Sequence, residues 1–302
     1  MDELTIHELP ELRRPTLIAA FSGWPDAAEA ASGSIRYLTR KLRARRFAEI
    51  DPETFYVFTE TRPNTILLAP GQRAIEWPTN EFFAWRDATG DADLILFQGR
   101  EPNLNWRGYV DALLQLAERC EVQQVVALGG TYDAVSHRGP VRLSGHGSTE
   151  ALRAQLSRFG IESTSYQGPS SVQSAMLDAC QRRGLPAASL WGHAPQYVRA
   201  VPNAKVSHAV LAVLSAWLDV DLDLAEIRVA GEQLEARVEA AISDNPEVTA
   251  YVEQLGVDDE RSTAPDLELL DRPDGPRETP TADDVLRELE ELLRQSRADD
   301  DL

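Results

Sequence analysis

Polar, charged and glycine residues follow three of the apolar runs that the sequence predicts to be buried strands. After the first run come Gly23, Trp24 and Asp26; after the second, Arg100 and Glu101; after the third, Gly129 and Gly130. In an open α/β sheet, ligands bind beyond the carboxyl ends of the strands, and a helix that starts there attracts an anion. The three turns therefore predict either a cleft for a nucleotide or another small anion, or a contact between subunits.

Each charged residue of these turns also has a simpler interpretation. Asp26 precedes a predicted helix, and the role of a helix cap is favoured over that of a catalytic acid. The guanidinium of Arg100 suits a carboxylate or a phosphate, but it could equally pair with Glu101, and the sequence favours neither. The turns lack the G-x-G-x-x-G pattern and the lysine of a phosphate-binding loop, so they indicate no particular cofactor.

Other reactive residue types occur without the partners that their chemistry requires. His137 and His146 are nine residues apart, and no cysteine or nearby carboxylate completes a zinc site. Ser170 and Ser171 do not stand in the G-x-S-x-G pattern of a hydrolase, and a serine at a helix start is ordinarily a cap. The sequence therefore predicts no catalytic residue, no metal and no cofactor, and an enzyme is the less favoured class.

The two cysteines, Cys120 and Cys180, each end an apolar helical pattern, which predicts core residues and not nucleophiles. Two distant thiols form no disulfide framework, which is typical of a protein in a reducing compartment. The sequence contains no apolar run of 18 residues, and its first residues are acidic. We therefore expect a cytoplasmic protein with neither a membrane span nor a secretory signal.

Strand-like and helix-like segments alternate along the first 218 residues. Short apolar runs predict strands at 16–21, 55–58, 93–97, 124–128 and 188–191. Helical spacing predicts helices over 27–44, 106–119, 148–159, 171–183 and 204–218, and the pattern over 62–77 predicts a hairpin. The alternation predicts an α/β fold with a mostly parallel sheet flanked by helices, to which the hairpin adds an antiparallel element.

The net charge of −19 is unevenly distributed along the chain. Residues 219–302 contain 26 acidic and 8 basic residues, whereas residues 1–218 contain 23 acidic and 22 basic residues. The one basic cluster, residues 36–46, suits the carboxyl end of a helix, where cations interact favourably with the dipole. Because the phosphate backbone needs cationic contacts, an acidic arm disfavours nucleic acid as a partner.

The acidic C-terminal third is predicted to be mostly helical. Apolar residues recur over 224–255, with a break at Asn245–Pro246. Residues 282–297 form a short amphipathic pattern, and an isolated helix of this length is not stable in water. We therefore expect it to pack on its own domain, on a neighbouring subunit or on a partner, with Leu286, Leu289 and Leu293 as the candidate partner-binding residues. The predicted organisation is a core over 1–218, an acidic helical lobe of the same domain over 219–257, a flexible linker over 258–280, and the C-terminal helix and tail over 281–302.

Six motifs, in their order and spacing, carry a family resemblance. They are AFSGWPDAAEAA at 20–31, DPETFY at 51–56, IEWPTNEF at 75–82, GREPNLNW at 99–106, YQGP at 166–169 and LWGHAPQYV at 190–198. Together they resemble the proteasome assembly chaperone 2 family in its bacterial form, from about residue 15 to residue 255. The resemblance implies a fold akin to the purine nucleoside phosphorylase type, with the acidic lobe included in it.

The same resemblance implies self-association, with a trimer among the candidate states, and ATP-independent binding to proteasome subunits in eukaryotic and archaeal relatives. Some archaeal relatives bind through a C-terminal motif of a hydrophobic residue, tyrosine and any residue; this chain ends in RADDDL, so no functional residue is carried over. The leading hypothesis is a non-catalytic, self-associating protein that binds other proteins, proteasome subunits among them. The alternative is an enzyme or a binder of a nucleotide or other small anion at the strand-end cleft.

Overall fold

Strands and helices alternate through most of the chain, in a computed structural model that describes residues 3–69, 71–88, 90, 93–163, 166–199, 202–243 and 245–262. The strands are β1 (Leu4–Ile6), β2 (Thr16–Ser22), β3 (Arg45–Ile50), β4 (Asn64–Ala69), β5 (Gln72–Glu76), β6 (Glu81–Trp85), β7 (Leu94–Arg100), β8 (Gln124–Asp133), β9 (Leu143–Gly147) and β10 (Ala187–Pro195). The helices are α1 (Ala30–Lys41), α2 (Trp106–Arg119), α3 (Glu150–Arg158), α4 (Val172–Arg182), α5 (Ala204–Leu218), α6 (Ala225–Ser243) and α7 (Pro246–Ser262). The predicted C-terminal helix with Leu286, Leu289 and Leu293, and nearly all of the linker, lie outside the described residues.

The main sheet of the described chain has eight strands in the order β1-β3-β6-β7-β2-β8-β10-β9. Its four central strands, β7, β2, β8 and β10, are parallel. The flanking pairs β1–β3, β3–β6, β6–β7 and β10–β9 are antiparallel. Parallel strands are covered on both faces and read as continuous apolar runs, as in residues 16–21, which are all buried. The α/β class is confirmed, and the antiparallel strands extend the parallel centre on both sides.

This topology brings many connections to one side of the sheet. The carboxyl ends of the four parallel strands lie there, and so do the end of β3 and the starts of β6 and β9, because of their antiparallel pairing. We call this side the carboxyl edge. The segments 51–63 and 77–80, with the hairpin β4–β5 between them, therefore stand at the carboxyl edge.

Helices cover both faces of the sheet. On one face α2 and α4 pack over a cluster that includes Phe21, Phe97 and Tyr109. On the other face α1 and α5 pack over a cluster that includes Ile35 and Leu214. The rings of Phe21 and Phe97 lie 5.5 Å apart between centroids, within the range of favourable aromatic pairs.

Two of the predicted element boundaries are wrong. Residues 55–58 form turns and not a strand, and Phe55 is buried because its ring packs edge-on against Tyr109, with centroids 5.1 Å apart. The first helix ends at Lys41, and the arginine-rich sequence that follows begins β3. Arg45 and Arg46 are exposed at the start of that strand, whereas Phe47 is buried. Because the strand begins with arginines, its entry into the core was not visible as an apolar run.

The acidic lobe consists of α6 and α7, which are separated at the predicted break. Asn245 caps α7, because its side-chain oxygen accepts hydrogen bonds from the amides of Glu247 and Val248. Apolar residues of both helices pack with Tyr197 and Val198, which follow β10. The predicted basic cluster also contacts the lobe: Arg40 and Lys41 pair with Glu226 and Asp223. The cations at the end of α1 thus attach the acidic helices to the core.

Candidate functional site

A buried hydrogen-bond network lies beneath the carboxyl edge and is centred on Asn80. The hydroxyl oxygens of Tyr56 and Tyr109 both lie 2.7 Å from Asn80 Oδ1, and the amide of Arg100 donates to the same oxygen over 3.2 Å. Asn80 Nδ2 donates to the carbonyl of Ile50 over 3.4 Å. One side chain therefore connects the end of β3, the end of β7, helix α2 and the segment 51–63.

Both tyrosines of this network are protonated donors at neutral pH. Burial raises the pKa of Tyr56 to about 12. Burial also raises the pKa of Tyr109 well above its usual value. The two hydroxyls share the Asn80 oxygen and the Arg100 carbonyl as acceptors, so the network contains no charged group and needs no counterion.

A second set of contacts fixes the segment 51–63 to the turn after β7. Asn103 Oδ1 accepts hydrogen bonds from the amide of Val57 and the hydroxyl of Thr61, both over 3.0 Å. The amide of Leu104 donates to the carbonyl of Phe55 over 3.0 Å. The strands of the hairpin therefore start from an anchored base.

The hairpin β4–β5 pairs only with itself and forms a separate two-stranded sheet. Leu67, Leu68 and Ile75 are 73%, 66% and 58% exposed. The register places Leu67 and Ile75 on the same face, whereas Leu68 lies at a β-bulge, where the alternation of faces is interrupted. A two-stranded hairpin is only marginally stable in water. The hairpin predicted over 62–77 is thus confirmed, and its exposed apolar side chains are an additional finding.

Three further exposed apolar side chains lie at the carboxyl edge. Trp77 follows β5 and packs on Phe58, with ring centroids 4.9 Å apart, yet it is 45% exposed. Trp24 follows β2 and Leu104 follows β7, and they are 59% and 51% exposed. We define the apolar edge as these six side chains: Trp24, Leu67, Leu68, Ile75, Trp77 and Leu104.

The turn that carries Trp24 is held by Glu101, one of the residues predicted at the cleft. Glu101 accepts hydrogen bonds from the amide of Trp24 and, over 2.9 Å, from the amide of Val172 at the start of α4. Burial raises the pKa of the Glu101 carboxyl. Gly23 takes a φ of 117°, and a Cβ there would lie 3.3 Å from that of Glu101. Ser171 precedes α4, as predicted for a cap, but its side chain makes no capping hydrogen bond.

Asp26 caps α1, as the favoured interpretation predicted. Its Oδ1 accepts hydrogen bonds from the amides of Ala31 and Ser32 over 2.8 and 3.0 Å. The preceding turn is strained, since Ala28 and Glu29 have φ values of 56° and 52°. Burial raises the pKa of Asp26 to about 6. The carboxyl thus stabilises a helix start that an unfavourable backbone conformation would otherwise weaken.

The prediction that Gly129 and Gly130 form a turn at a cleft is wrong. Both are buried within β8. A Cβ on Gly129 would lie 2.5 Å from the ring of Trp191, and one on Gly130 would lie 2.5 Å from the carbonyl oxygen of Ala27. The glycines are needed because neighbouring groups approach the strand closely. Arg100 is the exposed last residue of β7, and within the described chain it forms no ion pair with Glu101.

The structure also joins three residues that sequence analysis left apart. His193 Nδ1 lies 2.7 Å from Asp133 Oδ2, and His193 Nε2 lies 2.7 Å from Ser144 Oγ. The hydrogen bond from His193 lowers the pKa of Asp133, which keeps it a carboxylate and favours the Nδ1–H tautomer. The chain of hydrogen bonds, from carboxylate to imidazole to hydroxyl, matches that of the catalytic triads of acyl-transfer enzymes. His193 is 49 positions from Ser144 and 60 from Asp133, and no local motif signals these contacts.

A small cleft, partly open to solvent, lies next to His193 and between the core and α6. Neither Ser144 nor Asp133 lines it, and Ser144 is buried, with 7% exposure. Acyl transfer requires a nucleophile that substrate can reach. The hydrogen bonds of the three residues connect the last residues of β8 and β10 to the start of β9.

Charged side chains of this cleft are used in ion pairs that attach the lobe. Lys205 pairs with Glu235 on α6 over 2.8 Å. His137 Nε2 lies 2.9 Å from a carboxylate oxygen of Glu239 on the same helix, and burial lowers the pKa of His137. His137 therefore helps to attach α6 to the core.

Three further properties of the described residues are relevant to function. Within the described residues no group of His, Cys, Asp and Glu side chains could hold a metal ion. Cys120 and Cys180 are buried, and burial raises the pKa of each thiol to about 11. No helix among those described is both long and apolar enough to cross a membrane.

The protein thus has an α/β fold built on an eight-stranded mixed sheet, and six exposed apolar side chains lie at its carboxyl edge. The chain belongs to the PAC2 family, whose model matches residues 20–242. This match confirms the resemblance carried by the six sequence motifs. It also includes nearly all of α6, so the first lobe helix is part of the family domain.

Solved structures of related proteins agree with this assignment. A PAC2 family protein from Streptomyces avermitilis is 35% identical, with a TM-score of 0.72, over 79% of this chain and 99% of that one. A proteasome-assembly chaperone homologue from Mycobacterium tuberculosis is 32% identical, with a TM-score of 0.72, over 78% and 99%. An archaeal proteasome activator from Pyrococcus furiosus, 19% identical over 80% and 99%, shares the fold with a TM-score of 0.64. A comparison with curated proteins gives no match.

The Asn80 network predicts a large loss of stability on truncation. Asn80→Ala removes an acceptor shared by two tyrosine hydroxyls and the amide of Arg100. The carbonyl of Arg100 remains the one acceptor for both hydroxyls, and each buried donor left without a partner costs about 1–3 kcal/mol. We expect the free energy of unfolding in urea to fall by about 3 kcal/mol. Asn103→Ala, which removes an exposed side chain from the same region, should lower it by about 1 kcal/mol or less. Equal losses for the two variants would contradict the central role of Asn80.

Asp26 predicts a specific pH dependence. Because its pKa is higher in the folded state than the usual 3.8, its contribution to stability is complete below about pH 4 and is lost as the pH rises through 6. Asp26→Asn keeps the capping oxygen and removes the ionisation. Between pH 4 and 7 the free energy of unfolding of the wild type should therefore fall by about 3 kcal/mol relative to the variant. Urea denaturation of both proteins across this range measures the difference, and parallel pH curves would show the prediction to be wrong.

Proposed function

We propose that the protein is a non-catalytic, self-associating binding protein, and that the apolar edge is the surface with which it binds other proteins, proteasome subunits among them. The single observation that carries this proposal is the exposed hairpin, with Leu67 and Ile75 as its most prominent side chains. Soluble proteins rarely leave apolar groups clustered on one surface without a use for them. Here the cluster stands on a rigid base and not at a frayed end of the chain.

The composition of the apolar edge suits protein recognition. Two of its six members, Trp24 and Trp77, are tryptophans, a residue type enriched among the side chains that dominate binding energies. The exposed leucine and isoleucine side chains of the hairpin supply apolar area, which contributes roughly 25 cal/mol per Å² removed from water. A partner that covers the hairpin would also stabilise a two-stranded sheet that is otherwise marginal.

The relatives support the choice of partner. One relative above 30% identity carries the description of a proteasome-assembly chaperone homologue. We infer from this relationship that proteasome subunits are among the partners of the present chain. No nucleotide requirement enters the proposal, because the surface consists of apolar groups and needs no ligand to form.

Self-association is proposed through the same surface. A separate hairpin with exposed apolar residues can pack against its copy in another subunit, since a closed oligomer repeats one surface in every subunit. In such an oligomer the copies of Leu67 and Ile75 would lie in or near the contact. A small-ligand function at the strand-end turns receives less support, because Glu101 is used in holding Trp24 and Val172.

A charge placed on the hairpin should disrupt both kinds of binding. Leu67→Glu and Ile75→Glu would require a carboxylate to be buried in an apolar contact, and we expect the dissociation constants for self-association and for purified proteasome subunits to rise about tenfold or more. Sedimentation velocity and biolayer interferometry measure the two constants.

Leu9→Glu is the matched control, because Leu9 is also exposed, at 46%, but lies in the segment between β1 and β2 at the opposite edge of the sheet. It should leave both constants unchanged. Unchanged binding in the two hairpin variants, with the same melting temperature as the wild type, would refute the proposed surface.

A further inference from the structure

Strand β1 is the first strand of the main sheet, and within the described chain it pairs with β3 alone. Their ladder is antiparallel, and just beyond its ends the carbonyl of Glu3 and the amide of His7 are hydrogen-bonded to the segment that contains β3. Because hydrogen-bonded and non-hydrogen-bonded positions alternate along an antiparallel strand, Leu4 and Ile6 are non-hydrogen-bonded positions relative to β3. Their N–H and C=O groups therefore point away from the sheet, and no described residue hydrogen-bonds to them.

The side chains of β1 differ between its two faces. Leu4 and Ile6 are half-buried and pack against the core cluster that α2 and α4 cover. Thr5 is exposed on the opposite face, and the alternation of a strand places Glu3 and His7 on that face too. The strand thus combines unpaired main-chain groups, which can pair with a further strand, with an apolar face and a polar face that carries one acid and one imidazole.

The sequence from Glu3 to His7 is complementary to itself in one antiparallel register, in which Thr5 lies opposite Thr5 of a second copy. Leu4 then lies opposite Ile6, so aliphatic side chains meet, and Glu3 lies opposite His7, so a carboxylate meets an imidazole. Cross-strand pairs of all three kinds stabilise a sheet. A shift by one residue would bring the apolar face of one copy opposite the polar face of the other. A shift by two residues would separate Glu3 from His7.

We propose that β1 pairs with β1 of a second copy about a two-fold axis through Thr5, so that the main sheets of two subunits form one continuous sheet. Each Leu4–Ile6 pair then exchanges N–H···O=C bonds in both directions. The apolar faces lie on the same side, and α2, which contacts β1 as well as β3, flanks the axis in both copies and extends the contact.

This contact is distinct from the apolar edge and goes beyond the proposed function. Strand β1 borders the sheet on its side, whereas the hairpin stands beyond the carboxyl ends of the strands. The pairs end at His7, so Leu9 lies outside the contact. Pairing through β1 joins two copies, and the apolar edge of each copy stays available for other proteins.

A cysteine at position 5 tests the register. Opposed residues at a non-hydrogen-bonded pair have Cα atoms about 4.5 Å apart, a distance that a disulfide spans. The two native cysteines, Cys120 and Cys180, are buried, so Thr5→Cys supplies an exposed thiol without competition. We expect mild oxidation of the full-length variant to give mostly covalent dimer on non-reducing electrophoresis.

Arg45→Cys is the matched control, because Arg45 is an exposed residue of the neighbouring strand β3. In the proposed dimer the two β3 strands are three strand spacings apart, about 14 Å, which a disulfide cannot span. The yield of covalent dimer from Arg45→Cys should therefore be several-fold lower than that from Thr5→Cys.

A charge exchange at the axis tests the symmetry. Thr5→Lys and Thr5→Glu each place like charges directly opposite one another, which destabilises paired strands, whereas an equimolar mixture allows opposite charges to pair. We expect each variant alone to dimerise several-fold more weakly than the parent, and the mixture to recover dimerisation. Sedimentation velocity measures this in the Leu67→Glu background, where association through the hairpin is weakened. Because Thr5 is exposed, the far-UV circular dichroism of the variants should match that of the parent.

A Thr5→Cys dimer yield no higher than that of Arg45→Cys would overturn the proposal. So would a mixture of the lysine and glutamate variants that associates no better than either alone. Neither outcome decides the proposed function. That function depends on the binding of proteasome subunits by Leu67→Glu and Ile75→Glu, and the residues of β1 take no part in that surface.

Discussion

The geometry of the carboxyl edge depends on one buried carbonyl oxygen, that of the Asn80 side chain. Three donors from three elements converge on it, and the amide group of the same side chain donates to the end of β3. Burial of such groups is unfavourable unless each is hydrogen-bonded, so the network persists only in one arrangement of these elements. The position of the hairpin, which continues directly from this network, follows from that constraint.

The two parts of the segment 51–80 differ in burial: its first residues pack into the core, whereas the hairpin is exposed. Phe55 and Tyr56 insert into the core and are almost fully buried, and they contribute to folding. The residues of β4 and β5 that follow contribute little, because their apolar side chains remain in water. Natural sequences violate the rule of buried apolar groups mainly where function requires it. The contrast between a well-packed base and an unpacked hairpin on the same segment is the physical basis for assigning recognition to the hairpin.

The sequence correctly predicted those elements whose own residue pattern reflects their position in the fold. Residues 16–21 read as a buried strand because a central parallel strand is apolar on both faces, and that strand is β2. Gly129 and Gly130 suggested a turn, but the requirement they meet is space for Trp191 and Ala27, which are distant in sequence. Residues 55–58 are apolar because they fill a gap beside Tyr109, and apolar character alone does not distinguish such an insertion from a strand.

The candidate site was less predictable than the fold for a similar reason. A hairpin with alternating residues has the same pattern whether its faces are covered or exposed, so the exposure of Leu67 and Ile75 could not be read from the sequence. The contacts of Asn80 with Tyr56 and Tyr109, and of His193 with Ser144 and Asp133, join residues that are distant along the chain. In contrast, Asp26 and its helix were predictable, because a capping residue acts on amides only five and six residues away.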